Sequence, residues 1–267
     1  MKQIKEKERL DKVLANNGFG TRKEVRHFIR SKIVTVNGLV VTDPDSHVNI
    51  NEDKIAINGV SIETEGHVYY MMNKKEGYVC STRGGMHPCV YDLLKDEDKS
   101  KRLGGEVSAV GRLDVDTEGL LIFTSDGDLN HRLTSPKWKI PKTYLVFLRD
   151  SVDEVHMASY VSDLKKGVHI AKEGKNEEAD CLPASLVWKD KNLYRNKNGD
   201  VPEAVGELTV YEGKFHEVKR LFLALGNEVV YLKRLSVNNL FLDEKLNEGE
   251  YRRLTEEELK ILSDLSE

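Results

Sequence analysis

Apolar positions near the start of the chain recur at helical spacing. Leu10, Val13 and Leu14 fall on one face, and Gly18 stops the run. Thr21 opens a second helix. With Glu24 three positions on it forms a capping box, and Val25, Phe28 and Ile29 follow on one face. The pattern then switches to β-branched runs. IVTVNGLVVT and DKIAINGVSI each hold an Asn-Gly pair, Asn37-Gly38 and Asn58-Gly59, and each predicts a tight hairpin. Residues 68–79 read as a strand followed by a basic turn, and 80–108 as loop-rich with a short helix near Tyr91–Leu94. Next come a strand, a polar loop, a buried strand over Leu120–Thr124, a turn at Asp126-Gly127 and a short helix. A break at Pro136 precedes a strand over Thr143–Leu148. Residues 189–203 are polar and rich in Asn and Gly, which predicts an extended, mobile hairpin loop. HEVKRLFLALGNE places Val218, Leu221, Phe222 and Leu225 on one helical face, with Gly226 as its stop. A last helix starts at Thr255, where Glu258 completes a capping box.

The 267 residues allow one large domain or two unequal ones. With 39% hydrophobic and 32% charged residues the composition is that of a soluble globular protein. No apolar run approaches the roughly 20 residues that a membrane helix needs. The opening MKQIKEKERL has no apolar h-region, so no secretory signal is expected. Cys80, Cys89 and Cys181 are sparse and odd in number, which predicts a reducing, cytoplasmic setting rather than a disulfide framework. Cys80 and Cys89 with His87 fit no closed zinc spacing, and Cys80 reads as a packed small hydrophobe. No CxxC, HExxH or GxxxxGK[ST] string occurs, which removes the commonest zinc, zincin and P-loop readings.

Charge changes the picture. The net value of −4 hides a basic head: residues 1–40 carry +6 and the remaining 227 carry −10. Arg22, Lys23, Arg26 and Arg30 occupy the polar side of the second helix, with Lys32 just beyond. Arginine clusters of this kind grip phosphates, giving register and affinity rather than sequence choice. A second candidate site is the loop holding Arg112, Asp114, Asp116 and Glu118 between two apolar strands, since loops on rigid strands concentrate function. Its composition alone fits an ordinary acidic turn; a metal site is disfavoured because no His or further carboxylate follows at useful spacing, and spacing leaves a glycosidase pair open.

The stretch RLDKVLANNGFGTRKEVRHFIRSKIVTVNG resembles the S4 RNA-binding domain, over about residues 8–67. That resemblance implies binding of structured RNA through Arg9, Arg22, Lys23, Arg26, Arg30 and Lys32. GRLDVDTEGLLIFTSDGDLNHRLTSP, followed by KTYLV, resembles the catalytic motif of pseudouridine synthases. GKFHEVKRLFLALGNEVVYLKR resembles the third motif of the same family, and LNEGEYRRLTEEEL carries the likeness nearly to the end. The segments YVCSTR and NHRLTSPKW look most like the branch that joins an S4 domain to a core modifying small-subunit ribosomal RNA. The large-subunit type is the close alternative.

The resemblance implies an α+β protein: an S4-like domain over 1–67 and a catalytic domain over 68–267, with a mixed, mostly antiparallel sheet and a central cleft. By motif position, Asp114 matches the essential aspartate, Tyr144 the tyrosine packed on the target base, and Lys219 the basic residue paired with the aspartate. Arg112 matches the arginine near the place the flipped base vacates, and Arg220 joins the RNA-binding set. Asp116 and Glu118 carry no catalytic assignment, and His216 reads as a cap or a structural residue. Alone, KTYLV is a core strand and Lys219 a surface lysine. The joint order of the three motifs singles them out.

Pseudouridine formation breaks the C1′–N1 bond, turns the freed uracil and rejoins it through C5. It needs no redox step or energy input, so no cofactor and no metal are expected. Flipping the base costs a few kcal/mol, and stacking on Tyr144 returns about 1–3 kcal/mol. Lys219 offsets the desolvation of a carboxylate covered by RNA. The expected partner is ribosomal RNA or a pre-ribosomal particle, with no membrane, and the expected state is a monomer. A non-catalytic RNA-binding assembly factor is the rival class, and the intact Asp114, Tyr144 and Lys219 argue against it. A hydrolase using Asp114 and Asp116 would need a second essential carboxylate.

Overall fold

A computed structural model describes residues 7–50, 52–62, 67–82, 84–99 and 107–264. The part of the expected 80–108 loop over residues 100–106 lies outside them. The chain forms two compact units. One comprises Met1–Tyr70, Leu94–Ser108 and Phe123–Gly127, the other Met71–Leu93, Ala109–Ile122 and Asp128–Glu267. Among the described residues no helix is long and apolar enough to cross a membrane.

In the first unit, helices Leu10–Asn16 and Arg22–Arg30 accompany a four-stranded antiparallel sheet. Its strands run in the order Leu39–Val40, Val34–Val36, Ile55–Ile57, Val60–Ile62. Both hairpins turn where the sequence places them. Asn37 and Gly38 have φ of 52° and 79°, and Asn58 and Gly59 have 50° and 76°. Positive φ at both central residues is what the twist of a two-residue hairpin demands. The Thr21–Glu24 capping box forms with both of its reciprocal bonds. Leu10, Val13, Leu14, Val25, Ile29, Val34, Val48 and Ile55 make the core.

Two of the expected RNA contacts, Arg9 before the first helix and Arg26 on the basic one, are engaged within the unit. Asp11, only 1% exposed, collects Arg9 through two bonds of 3.0 and 2.8 Å and Arg26 at 2.7 Å, with Arg22 at 3.6 Å. Asp45 also binds both Arg9 and Arg26. Those two guanidinium groups therefore brace the unit internally. Arg22, Lys23, Arg30 and Lys32 stay exposed, as phosphate contacts must be.

The second unit holds most of a nine-stranded sheet. Its main order is Ser185–Trp188, Ala204–Val210, Lys142–Leu148, Val229–Val237, Glu118–Thr124, Tyr69–Lys74, Tyr251–Arg253. Lys142–Leu148 pairs antiparallel with both neighbours, and Ala204–Val210 with Ser185–Trp188. Val229–Val237 runs parallel to Glu118–Thr124, with Arg234 opposite Gly119. The sheet is thus mixed and mostly antiparallel. Gly119 is required at this crossing. It has φ of 100°, and a Cβ there would meet the backbone nitrogen of Arg234 at 2.7 Å. Residues 189–203 do join two antiparallel neighbours, but they are tied down: Asn196 N–H donates to Asp200 O at 2.8 Å, and Lys197 reaches Glu118 at 2.6 Å.

The Asp11 cluster yields a test. Burial works to raise the Asp11 pKa, but the hydrogen bonds of Arg9 and Arg26 outweigh it, and the carboxyl sits below its ordinary value. A depressed carboxylate stabilises the fold above its unfolded-state pKa, and that contribution fades as pH falls through the folded value. Asp11→Ala should cost about 1.5–3 kcal/mol at pH 7. The loss should shrink at pH 3, as read by urea denaturation at both values.

Candidate active site

Strand Tyr69–Lys74 delivers Lys74 beneath the acidic loop. Lys74 is the last residue of the strand, and it is 0% exposed. Its ammonium donates to the carbonyls of Thr117 at 2.7 Å, Asp114 at 3.0 Å, Lys75 at 3.2 Å and Val115 at 3.4 Å. Desolvation lowers its pKa, against the pull of nearby acidic groups. The loop also closes on itself, Thr117 N–H donating to Asp114 O at 3.1 Å. A backbone turn whose carbonyls converge on one cation has little freedom left.

The turn sends alternate carboxylates to opposite fates. Glu118 points inward, 2% exposed, accepting the Tyr231 hydroxyl at 2.8 Å and pairing with Lys197 at 2.6 Å. Asp114 is half-buried. Its Oδ2 lies 3.4 Å from Lys219 Nζ, and its Oδ1 lies 3.6 Å from His216 Nε2. Asp116 is exposed and accepts Lys219 Nζ at 2.6 and 2.8 Å. Burial works to raise the Asp116 pKa, but the bond and charge of Lys219 prevail and lower it. Lys219 thus serves two carboxylates and bonds more closely to Asp116, a partner the motif pattern did not assign.

Tyr144 stands on strand Lys142–Leu148, 9% exposed, opposite Arg234 on the neighbouring strand. Burial raises its pKa, which keeps the phenol neutral. Asp114, Tyr144, Arg112, Thr117, His216 and Glu217 line one cavity. The Thr117 hydroxyl is buried there without a hydrogen-bond partner among the described residues. A second cavity shares Arg112, Leu113, Asp114 and His216 with the first. The expected trio of Asp114, Tyr144 and Lys219 is therefore brought together with Arg112, all in the second unit.

Two other expectations change. Arg220, expected among the RNA contacts, is buried. It is 6% exposed, and its guanidinium donates to the carbonyls of Ala171 at 2.6 Å, Glu177 at 2.8 Å and Phe215 at 3.1 Å. Helical rotation puts it on the buried face while Lys219 stays on the open one. His216 makes no cap bond, although it precedes helix Glu217–Ala224. Its ring instead contacts Glu173 Oε1 at 3.0 Å through Nδ1 and faces Asp114 through Nε2.

The family model for RNA pseudouridylate synthase matches residues 68–224. The chain belongs to the RNA pseudouridine synthase family. An S4 domain model matches residues 8–54. An uncharacterized RNA pseudouridine synthase of Bacillus subtilis (strain 168) is 40% identical, over 96% of this chain and 98% of the relative. The ribosomal small subunit pseudouridine synthase A of Haemophilus influenzae is 38% identical, over 95% and 99% respectively. A crystal structure of a pseudouridylate synthase aligns with a TM-score of 0.60 at 36% identity, covering 95% of this chain and 99% of that one.

The pseudouridine synthase core holds two further ionisable groups that the motifs left unremarked. Burial, then the nearby Glu212, pushes Glu217 up to about 7, and burial brings Lys142 down to about 8. A carboxyl raised on folding favours the native state below its unfolded pKa, and the benefit is lost as pH rises through about 7. Glu217→Gln should therefore stabilise the protein by up to roughly 3 kcal/mol at pH 8 and far less at pH 4. Thermal unfolding at the two pH values checks the sign.

Proposed function

We propose that this synthase isomerises a specific uridine of small-subunit ribosomal RNA, with Asp114 as the essential carboxylate. The observation that carries the reading is the cavity where Asp114, Tyr144 and Arg112 meet. The reaction is balanced within the substrate. The C1′–N1 bond breaks, C1′ bonds to C5, the C5 hydrogen leaves as a proton, and N1 gains one. A carboxylate can act at C1′, on the base, or on the 2′ proton, and each role needs it ionised. Lys219 and His216 face the two oxygens of Asp114. Such a charge, covered by RNA, keeps favourable partners in place of water. The buried Tyr144 ring offers the flipped base a wall, and stacking of that kind repays part of the unpairing cost.

Arg112 lies exposed at the rim of both cavities, suited to a phosphate or to the space left in the helix. Arg22, Lys23, Arg30 and Lys32 supply phosphate contacts without choosing sequence. Choice of the small subunit rests on the likeness to relatives that bear that name. We read the protein as a cytoplasmic monomer with domains over 1–67 and 68–267, acting on ribosomal RNA or a pre-ribosomal particle without a cofactor.

Pseudouridine mapping of ribosomal RNA from cells lacking the protein tests this. One small-subunit site should disappear, return with the wild type, and stay absent with Asp114→Asn. A lost large-subunit site would overturn the target. An unchanged map, or rescue by Asp114→Asn, would overturn the catalytic reading.

A further inference from the structure

The second cavity, of about 220 Å³, shares Arg112, Leu113, Asp114 and His216 with Tyr144's pocket, but Phe215, Lys219 and Cys80 line it alone. Phe215 forms part of its wall, together with Arg112, Lys219, Cys80 and Val79. The Phe215 ring is 43% exposed. It stacks on the His216 imidazole, with centroids 3.7 Å apart and planes 23° from parallel.

An exposed apolar ring is unremarkable when it rides on a loose loop. This one does not. The Phe215 carbonyl accepts Arg220 Nη1 at 3.1 Å, from a guanidinium that is itself buried and fixed by two further carbonyls. His216 is held by Glu173 at 3.0 Å and adopts the left-handed conformation, with φ of 47°. A side chain other than glycine occupies that region only where its surroundings compel it. The backbone under Phe215 is thus anchored from behind while its ring faces outward. The cavity also holds two cations, Arg112 and Lys219; Lys219 is engaged by Asp116 and faces Asp114, which leaves the exposed Arg112 for a phosphate. An aromatic face beside cations is the combination that single-stranded nucleic acid uses, the base stacking while the backbone phosphate is neutralised.

We propose that this cavity is a subsite for the nucleotide next to the target uridine, its base stacked on Phe215 and its phosphate drawn to Arg112. The inference rests on reading the first cavity as the pocket for the flipped uracil. Flipping a base breaks its stack on both sides, so a neighbouring base loses its partner just as the target does. Phe215 replaces that partner. Every base has a π face, so the subsite holds the strand without demanding a particular base. The buried Arg220 positions the platform through the Phe215 carbonyl.

The experiment uses the full-length protein and a synthetic RNA spanning the mapped uridine, with the neighbouring base intact or removed as an abasic residue on the 5′ or the 3′ side. Steady-state kinetics compare the wild type with Phe215→Ala, Phe215→Leu and Phe215→Trp. On intact RNA, Phe215→Ala and Phe215→Leu should raise KM roughly tenfold with kcat little changed, while Phe215→Trp stays near the wild type. On RNA abasic at one of the two sides, the wild type should show the same rise in KM, and its difference from Phe215→Ala should vanish. Phe215→Leu behaving as wild type would overturn stacking in favour of simple apolar packing. A full Phe215→Ala penalty on both abasic RNAs would overturn the subsite. The wild-type rate on intact RNA reports the proposed function, and the ratio between variants reports the subsite. A wild type inert on the intact RNA overturns both.

Discussion

The site depends on a buried cation that, among the described residues, has no carboxylate bound to it. Lys74 is fully removed from solvent, and its ammonium is hydrogen-bonded to backbone carbonyls of residues 75, 114, 115 and 117. Taking an ammonium out of water costs several kcal/mol unless its donors are satisfied. A turn whose carbonyls point inward is equally costly without a donor. Each removes the other's penalty, so lysine and turn are stable only together. The consequence is a fixed direction for the side chains that follow. Glu118 goes inward to Tyr231 and Lys197, and Gly119 lets the strand press against Arg234. Asp114 is left facing the two cavities.

Around that turn the charges are shared rather than paired one to one. Lys219 bonds to Asp116 and faces Asp114, while His216 lies between Asp114 and Glu173. A carboxylate with two longer contacts keeps lone pairs for a substrate, whereas Asp116 is engaged by short bonds. That difference in engagement, more than position in the loop, separates the proposed catalytic aspartate from its neighbour. The first unit handles charge in a parallel way. Asp11 and Asp45 take up Arg9 and Arg26, and the remaining cations stay open.

Local chemistry was legible in the sequence wherever it decides local structure. The two Asn-Gly turns, both capping boxes and the apolar faces of the first helices form as their residues require. The motif resemblance located Asp114 and Arg112 in one loop, Tyr144 on a strand and Lys219 on a helix, which the fold draws together. What stayed hidden depends on tertiary contacts. Lys74 beside Lys75 looks like a basic turn, because nothing local shows that four carbonyls will converge on the first lysine and not the second. Arg220 beside Lys219 carries the same charge, and only the buried side of its helix distinguishes them. Arg9 and Arg26 read as phosphate contacts until Asp11 and Asp45 are brought beside them. Lys197 sits in a polar stretch that reads as mobile, and its partner Glu118 is far away in sequence.

The most direct test of a single, pre-positioned carboxylate is loss of the C5 hydrogen of the target uridine. A small-subunit RNA fragment labelled with tritium at C5 of its uridines would be incubated with excess protein, and released tritium followed through a single turnover. The account predicts release of one label per RNA by the wild type, substantial release by Asp116→Asn and none by Asp114→Asn. Release by Asp114→Asn, or equal loss in the two variants, would contradict it.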